Sequence, residues 1–212
     1  MRLQERLRER VVLEDDFGPI RHVAGADVAF DPATDIAFAG VIVYKFPELV
    51  EVERRMARRK LRFPYVPGLL SFRESPLLLA AFARIRTEPD LILIDGHGRA
   101  HPRLFGIACH LGVLLDKPTI GCAKSLLVGD HAEPGAKAGS TTPLTFRGEQ
   151  VGTVLRTRDG VKPIYVTIGH RVSLESAVDL VEHCLDGFRI PKPTREADHY
   201  VRDLRRAFQG KG

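Results

Sequence analysis

The sequence predicts an α/β fold in which helices flank a mixed central β-sheet. The chain has 212 residues, of which 44% are hydrophobic, enough for one sizeable domain and too few for two typical ones. Three strand-like segments joined by short turns come first, and apolar strands alternating with helical segments follow. Three antiparallel strands leading into β-α-β units is the order of a ribonuclease H-like fold. We therefore expect a single domain over residues 1–212.

The first part of the chain holds the antiparallel part of the predicted sheet. Apolar residues that share one helical face among charges predict a short amphipathic helix over residues 1–11. Valines and glutamates alternate over residues 50–53, which predicts a half-exposed edge strand. A loop rich in proline and glycine follows at residues 63–68. Short turns separate the three strands predicted here, at residues 23–30, 36–46 and 49–56.

The remaining chain alternates between helical and strand-like patterns. Helical periodicity predicts a helix over residues 74–86. A continuous apolar run over residues 90–96 ends in an aspartate and a glycine, as in a strand buried on both faces of a parallel sheet. The later segments are a helix at 104–115, a strand at 118–122, a mobile surface loop at 128–140, strands at 150–157 and 163–168, and helices at 174–185 and 194–208.

Charge and cysteine content restrict the class of protein. Lys and Arg number 32 against 27 Asp and Glu, which gives a net charge of +5. This charge suits a polyanionic partner, but a role in solubility alone explains it equally well. The three cysteines form no CxxC pair, which indicates reduced thiols. The N-terminal residues are charged and no apolar run approaches the roughly 20 residues that span a bilayer. We expect a soluble, cytoplasmic protein with no membrane partner.

Carboxylates stand at unusual positions in the predicted strands. Asp95 follows a buried strand at its C-terminal end, where open α/β sheets bind ligands, although an aspartate there also caps loops. Asp27 lies inside an apolar strand, where aspartate is disfavoured. Glu74 starts the helix after the proline-rich loop, and the helix dipole explains its position equally well. If the two strands are neighbours, Asp27 and Asp95 converge on one cation.

Carboxylate ligands without a cysteine cluster favour Mg²⁺ or Mn²⁺ over Zn²⁺. Such a site supports phosphodiester hydrolysis. Lys124 follows the second buried strand at the same end of the sheet, where it would orient a phosphate or water, or simply be solvated. His97 and His101 have the i, i+4 spacing of a zinc pair, but Gly98 and Pro102 oppose a regular helix there, so we reject zinc.

Short motifs spread over residues 23–195 resemble those of the endonuclease V family. Each motif is weak evidence alone, but their collinear order is specific. They are Gly25-Ala26-Asp27-Val28, Pro64-Tyr65-Val66-Pro67-Gly68, Ser71-Phe72-Arg73-Glu74, Asp95-Gly96-His97-Gly98, Ala100-His101-Pro102-Arg103, Gly106-Ile107-Ala108, Pro118-Thr119-Ile120-Gly121, Gly169-His170-Arg171-Val172 and Pro193-Thr194-Arg195.

The resemblance implies a DNA repair endonuclease that depends on Mg²⁺ and in which Mn²⁺ can replace Mg²⁺. It implies recognition of deoxyinosine, which carries the hypoxanthine of deaminated adenine, and hydrolysis of the second phosphodiester bond 3′ to it. Asp27, Glu74 and Asp95 would bind the metal, and Lys124 would be the active-site lysine. A further catalytic position falls on Asp198, which is His in some members. Its neighbour here is His199, and adjacent helical residues point about 100° apart, so the sequence leaves open which one faces the metal.

The same resemblance implies how the base is read. Two prolines hold one aromatic residue in Pro64-Tyr65-Val66-Pro67, which would be the wedge that separates the strands. The flipped base would enter a glycine-lined pocket, because glycine lets backbone groups approach a base edge closely. The pocket residues would be Gly68, Leu70, Gly96, His101, Gly106 and Ile107.

Basic residues before the wedge are candidates for phosphate contacts. The run contains Arg58, Arg59 and Arg62, and its position tips the interpretation from a solvated strand end toward the nucleic acid. His170 follows a strand, and we expect it to open a helix, where a phosphate contact and a structural cap are equally compatible with the sequence. These assignments are hypotheses about single side chains.

We expect the protein to be a monomer. Two alternatives to DNA repair stay open. Some relatives prefer inosine in RNA, and the sequence separates the two substrates poorly. The other alternative is a non-catalytic hypoxanthine-binding protein. The complete carboxylate set opposes it, because a pure binder gains nothing from negative charge beside phosphates.

Overall fold

The computed structural model describes residues 2–61 and 68–210. Over these residues, eight strands form one sheet in the order β3-β2-β1-β4-β5-β8-β7-β6. The strands are β1 (His22–Asp31), β2 (Ile36–Lys45), β3 (Val50–Lys60), β4 (Leu91–Ile94), β5 (Thr119–Ala123), β6 (Thr141–Phe146), β7 (Glu149–Leu155) and β8 (Ile164–His170). The helices are α1 (Arg2–Arg8), α2 (Leu70–Phe82), α3 (Ile107–Leu115), α4 (Leu174–His183) and α5 (Lys192–Gln209).

The sheet is mixed, as predicted. β1, β2 and β3 pair antiparallel, as do β5, β8, β7 and β6 in that order. The centre is parallel, because β4 pairs with β1 on one side and with β5 on the other. The apolar run of β4 is completely buried, as expected for a strand covered on both faces. The C-terminal ends of β1, β4 and β5 therefore lie at one end of the sheet.

Helices cover both faces of this sheet and enclose two apolar cores. One core joins the odd-numbered residues of β1 and β4, such as Val23 and Leu93, to α4 and to Tyr200 of α5. The other joins the even-numbered residues, such as Ala24 and Ile92, to α2 and α3. Alternation along the strands thus directs side chains to opposite layers. No helix in the described ranges is long and apolar enough to cross a membrane.

Some local predictions need correction. β3 is an edge strand as expected, but Val50 and Val52 are exposed and Glu53 is buried. The pairing with β2 skips Val52, because Val43 is opposite Glu53 and Tyr44 is opposite Glu51, so a bulge interrupts the alternation. The sequence analysis also missed β6. Its Pro143 argues against a strand, and β6 tolerates the proline because it lies at the other edge of the sheet.

Candidate metal centre and nucleic-acid interface

Two aspartates meet at the C-terminal ends of the central strands. Ala26 of β1 is paired with Ile94 of β4, and the next residues along these parallel strands are Asp27 and Asp95. Asp198 of α5 joins them from the helical layer above. One carboxylate oxygen from each of the three aspartates lies within 4.8 Å of the other two.

Glycines in the sheet let α5 come close enough to deliver Asp198. A Cβ atom at Gly25 would lie 1.9 Å from the carbonyl oxygen of Pro193, so a larger residue there would push the helix away. Gly40, which pairs with Asp27 across β1 and β2, leaves room in the same way for the ring of Tyr200. The two glycines, which have no Cβ atom, therefore set the distance between α5 and the sheet.

The electrostatics of the cluster favour a bound cation. Burial raises the pKa of Asp27 well above its ordinary value, and the neighbouring charge of Asp95 raises it further. Burial also raises the pKa of Asp95, although Lys124 opposes that shift. Carboxylates held this close and away from water are costly unless positive charge compensates them. Oxygen donors of this kind fit a hard divalent ion such as Mg²⁺ or Mn²⁺.

Lys124 lies at the cluster, as its place after β5 predicted. Its Nζ contacts Oδ2 of Asp95 and lies 3.3 Å from Oδ2 of Asp198. Burial on its own lowers the pKa of Lys124, but the hydrogen bond and charge of Asp95 outweigh burial and raise it. The ammonium group therefore stays charged at neutral pH and offsets part of the negative charge.

Two arginines that the sequence analysis missed support these groups. Arg189 donates from Nη2 to the carbonyl oxygens of Lys124 and Pro163, both at 2.7 Å, and so fixes the backbone that carries the lysine. Nothing in the local sequence marked Arg189, because its partners are distant in the chain. Arg202 places Nε 2.8 Å from Oδ1 of Asp198. Its i, i+4 spacing from Asp198 on a predicted helix was the sequence signal that could have identified this pair.

Glu74 lies near the three aspartates but is not one of the close group. It is the fifth residue of α2, which begins at Leu70, so it lies beyond the first turn and the helix dipole does not account for it. Burial raises its pKa to about 7, with Arg73 opposing the shift and Asp95 adding to it. The family resemblance assigned Glu74 to metal binding with Asp27 and Asp95. Among the described residues, the carboxylate that shares metal-binding spacing with these two is Asp198.

The structure separates Asp198 from His199. The side chain of His199 is exposed, and its Nδ1 lies 3.8 Å from Oε2 of Glu196, on the solvent side of α5. Asp198 points the other way, into the cluster. Among the described residues, the three aspartates are the only His, Cys, Asp and Glu group with metal-binding spacing, so His97 and His101 form no such group.

The residues of the predicted base pocket lie in closely packed backbone. A Cβ atom at Gly106 would lie 2.2 Å from the carbonyl oxygen of His97, and one at Gly96 would lie 2.7 Å from Cγ2 of Ile107. Glycine is thus required where the loop after β4 meets the start of α3.

Arg103 connects two other pocket candidates, Gly68 and His101. Its Nη1 donates to the carbonyl oxygen of Gly68 at 2.9 Å, and its backbone N–H donates to Nδ1 of His101 at 3.2 Å. Burial lowers the pKa of His101 to about 4, so the ring is neutral at pH 7. Leu70 is exposed at the start of α2.

The basic run is divided between structural and exposed arginines. Arg54 and Arg55 pair with Glu51 and Glu53, respectively. Arg58 and Arg59 are exposed at the end of β3, opposite Phe38 and Ala37 of β2, which is the end of the sheet that holds the aspartates. Arg59 lines a cavity of about 660 Å³ with Phe72 and Arg73. Arg62 and the wedge residues Pro64, Tyr65, Val66 and Pro67 lie outside the described residues.

His170 does not lie where a phosphate contact would need it. It ends β8 opposite Thr119, at the end of the sheet away from Asp95, and only 3% of it is exposed. Its Nδ1 accepts a hydrogen bond from the backbone N–H of Val12 at 3.1 Å, which fastens the N-terminal segment to the sheet. The expected helix begins later, at Leu174. A structural role accounts for His170, and the phosphate assignment is withdrawn because the ring is covered.

Comparison with known proteins identifies the family of this chain. The family profile of endonuclease V matches residues 5–199. The endonuclease V of Roseiflexus castenholzii is 54% identical over 196 residues, which cover 92% of this chain and 87% of that protein. The crystal structure of endonuclease V from Streptomyces avermitilis is 42% identical and superposes with a TM-score of 0.93, covering 98% of this chain and 92% of that one.

A third relative was solved with nucleic acid. Endonuclease V of Ciona intestinalis, in complex with a 24-mer DNA containing an inosine followed by a ribo-adenosine, is 32% identical with a TM-score of 0.85. The match covers 98% of this chain and 96% of that one. The superpositions with endonuclease V structures confirm the ribonuclease H-like fold. The chain belongs to the endonuclease V family of metal-dependent nucleases.

Proposed function

We propose that this protein is a Mg²⁺-dependent DNA repair endonuclease that hydrolyses the second phosphodiester bond 3′ to deoxyinosine. The observation that carries the proposal is the convergence of Asp27, Asp95 and Asp198 within 4.8 Å, with Lys124 beside them. The complex of the Ciona relative with inosine-containing DNA supports the choice of substrate.

The aspartate cluster is the proposed metal site. Asp27, Asp95 and Asp198 would hold Mg²⁺, with Glu74 as a fourth carboxylate close by, and Mn²⁺ would fit the same oxygen donors. When bound, the ion supplies Lewis-acid stabilisation of the negative charge that develops on the phosphate. Lys124 would hold a phosphate oxygen beside Asp95, since its ammonium group is charged and fixed at that point.

Base recognition is assigned to the backbone around the loop after β4. Gly68, Gly96 and Gly106 would let backbone groups reach the base edge, and Leu70, His101 and Ile107 would complete the pocket. A backbone donor that pairs with the carbonyl oxygen of hypoxanthine would face the amine of adenine and stay unpaired. That mismatch costs roughly 1–3 kcal/mol. Tyr65, between Pro64 and Pro67, would open the base stack as the wedge.

Cleavage of an end-labelled duplex with one deoxyinosine tests the proposal. The chain should make one nick, one nucleotide beyond the lesion, with Mg²⁺ and none with EDTA or with adenine at the same position. Asp95→Asn should lose at least about 10³-fold in rate while still binding the lesion, because the metal site is damaged and the pocket is not. Asp159→Asn, an exposed carboxylate paired with Lys137, is the matched control and should cleave normally.

Each result has a defined meaning. Wild-type rates in Asp95→Asn would refute the assigned centre, and a nick at another bond would refute the proposed register. If nothing is cleaved but the lesion is bound, the protein is a hypoxanthine-binding module.

A second candidate is cleavage of inosine-containing RNA. The DNA in the Ciona complex carries a ribo-adenosine after its inosine, so the nucleotide next to the lesion in that relative is a ribonucleotide. A matched RNA strand in the same assay separates the two substrates. Cleavage of the RNA alone would keep the chemistry and move the function to RNA.

We place the active protein in the cytoplasm as a monomer. Cys109, Cys122 and Cys184 are free and buried, as suits a reducing compartment. Sedimentation at the concentration used for cleavage tests the monomer, because a dimer would double the mass.

A further inference from the structure

Arg202 lies between the aspartate cluster and solvent. It follows Asp198 by one turn of α5, so both side chains project from the same face of the helix. The side chain of Asp198 is 14% exposed and that of Arg202 is 51% exposed. The contact from Nε of Arg202 to Oδ1 of Asp198 therefore joins a partly buried carboxylate to a more exposed group at the mouth of the site.

The two cations at Asp198 occupy different depths. Lys124 approaches Oδ2 and also contacts Asp95, whereas Arg202 approaches Oδ1. Burial raises the pKa of Asp95, and the positive charge of Arg202 is among those that oppose this rise, so its charge acts on the centre of the cluster. A guanidinium has five N–H donors in a planar fork, and the contact with Asp198 is made through Nε. Among the described residues neither Nη atom of Arg202 donates a hydrogen bond, so their donors can serve another acceptor.

A nucleic-acid strand entering this site brings phosphates toward three aspartates. The negative charges repel unless cations lie between them. An arginine anchored to one carboxylate can bind a phosphate through its other edge, because the planar fork has donors on more than one side. Arg206, one turn further along α5, is 73% exposed, and its Nη1 lies 3.6 Å from Oδ1 of Asp203, a carboxylate outside the cluster.

We propose that Arg202 binds a backbone phosphate at the mouth of the aspartate cluster while its guanidinium stays ion-paired with Asp198 through Nε. This inference rests on the proposed function only in taking a nucleic-acid strand as the substrate. The contact carries no base information, so Arg202 contributes equally to the binding of damaged and undamaged strands.

Binding of a fluorescent undamaged DNA duplex in EDTA, measured from 50 to 200 mM NaCl, tests the proposal. Arg202→Ala should lower affinity roughly three- to tenfold at low salt and reduce the slope of log affinity against log salt by about 0.9, the effect of one lost phosphate contact. Arg202→Lys should restore the slope, but only part of the affinity, because an ammonium lacks the planar fork. Arg206→Ala is the matched control and should leave both unchanged.

Two outcomes would overturn the proposal. Unchanged affinity and slope in Arg202→Ala would show that Arg202 does not contact the nucleic acid. A lower affinity with an unchanged slope and a lower melting temperature would show that Arg202 only positions Asp198. The assay requires neither cleavage nor inosine, so a wild-type protein that fails to nick deoxyinosine would refute the proposed function without affecting this test.

Discussion

Buried carboxylates at two places in this sheet are treated in opposite ways. Glu53, on edge strand β3, accepts hydrogen bonds from the backbone N–H groups of Arg86 and Thr87, in the connection that enters β4. Burial on its own raises the pKa of Glu53, but these bonds outweigh burial and lower it. At the C-terminal end of β1 and β4, burial and mutual repulsion raise the pKa of Asp27 and Asp95 instead.

The difference supports the proposed assignment of Asp27, Asp95 and Asp198 as the functional carboxylates. Glu53 has donors from its own fold and so stabilises the connection after α2. The three aspartates and nearby Glu74 are four carboxylates, whereas Lys124 and Arg202 at the cluster and Arg73 beside Glu74 supply three positive charges. Fold stability does not account for such an arrangement, since it costs free energy in the absence of a cation. Metal binding does account for it.

After the loss of a metal-binding carboxylate, the largest effect is expected where the cluster loses its internal cation. Lys124→Met should lower the cleavage rate about 10²- to 10³-fold, because a fixed positive charge at the phosphate is lost. Single-turnover cleavage of the deoxyinosine duplex measures it. The matched control is Lys137→Met, whose lysine pairs with Asp159 on the surface and should not matter. Equal rates in both variants would exclude Lys124 from the reaction.

Glu74 should lower the free energy of unfolding of the metal-free protein at neutral pH. Its pKa rises from an ordinary 4.5 to about 7, under the influence of burial and Asp95 with Arg73 opposing. The folded state therefore holds this proton more tightly, and stability in EDTA should fall as pH rises from about 4.5 to about 7. Glu74→Gln should remove this loss, up to roughly 3 kcal/mol at pH 8.

Urea unfolding in EDTA at pH 5 and pH 8 measures the Glu74 effect. The variant should gain stability over wild type at pH 8 more than at pH 5, and it should cleave more slowly. A variant that is less stable than wild type at pH 8 would contradict the raised pKa.

The opposite result is expected at Glu53. Glu53→Gln should lower the free energy of unfolding by roughly 1–3 kcal/mol, because an amide oxygen replaces a carboxylate that accepts two backbone N–H groups. The same urea measurement detects it. The cleavage rate per folded molecule should stay normal. A variant as stable as wild type would contradict the contrast between Glu53 and the aspartate cluster.

Sequence patterns predicted most of the framework and part of the site. The apolar run before Asp95 and the small residues around Asp27 predicted two strands, because local side-chain patterns report burial. That these strands are parallel neighbours came from the structure. The start of α2 was placed four residues late, and β6 was missed at its proline. These errors are local, since helix starts and edge strands depend on neighbours that the sequence does not show.

The sequence by itself determined the α/β order, the family motifs and the carboxylates that needed a partner. Only the tertiary structure decided that Asp198 rather than His199 faces the cluster, that Asp198 lies closer than Glu74, and that His170 is covered. It also revealed Arg189 behind Lys124. The physical reason is that periodicity and composition act over a few residues, whereas these contacts join positions far apart in the chain and depend on how closely α5 approaches the sheet.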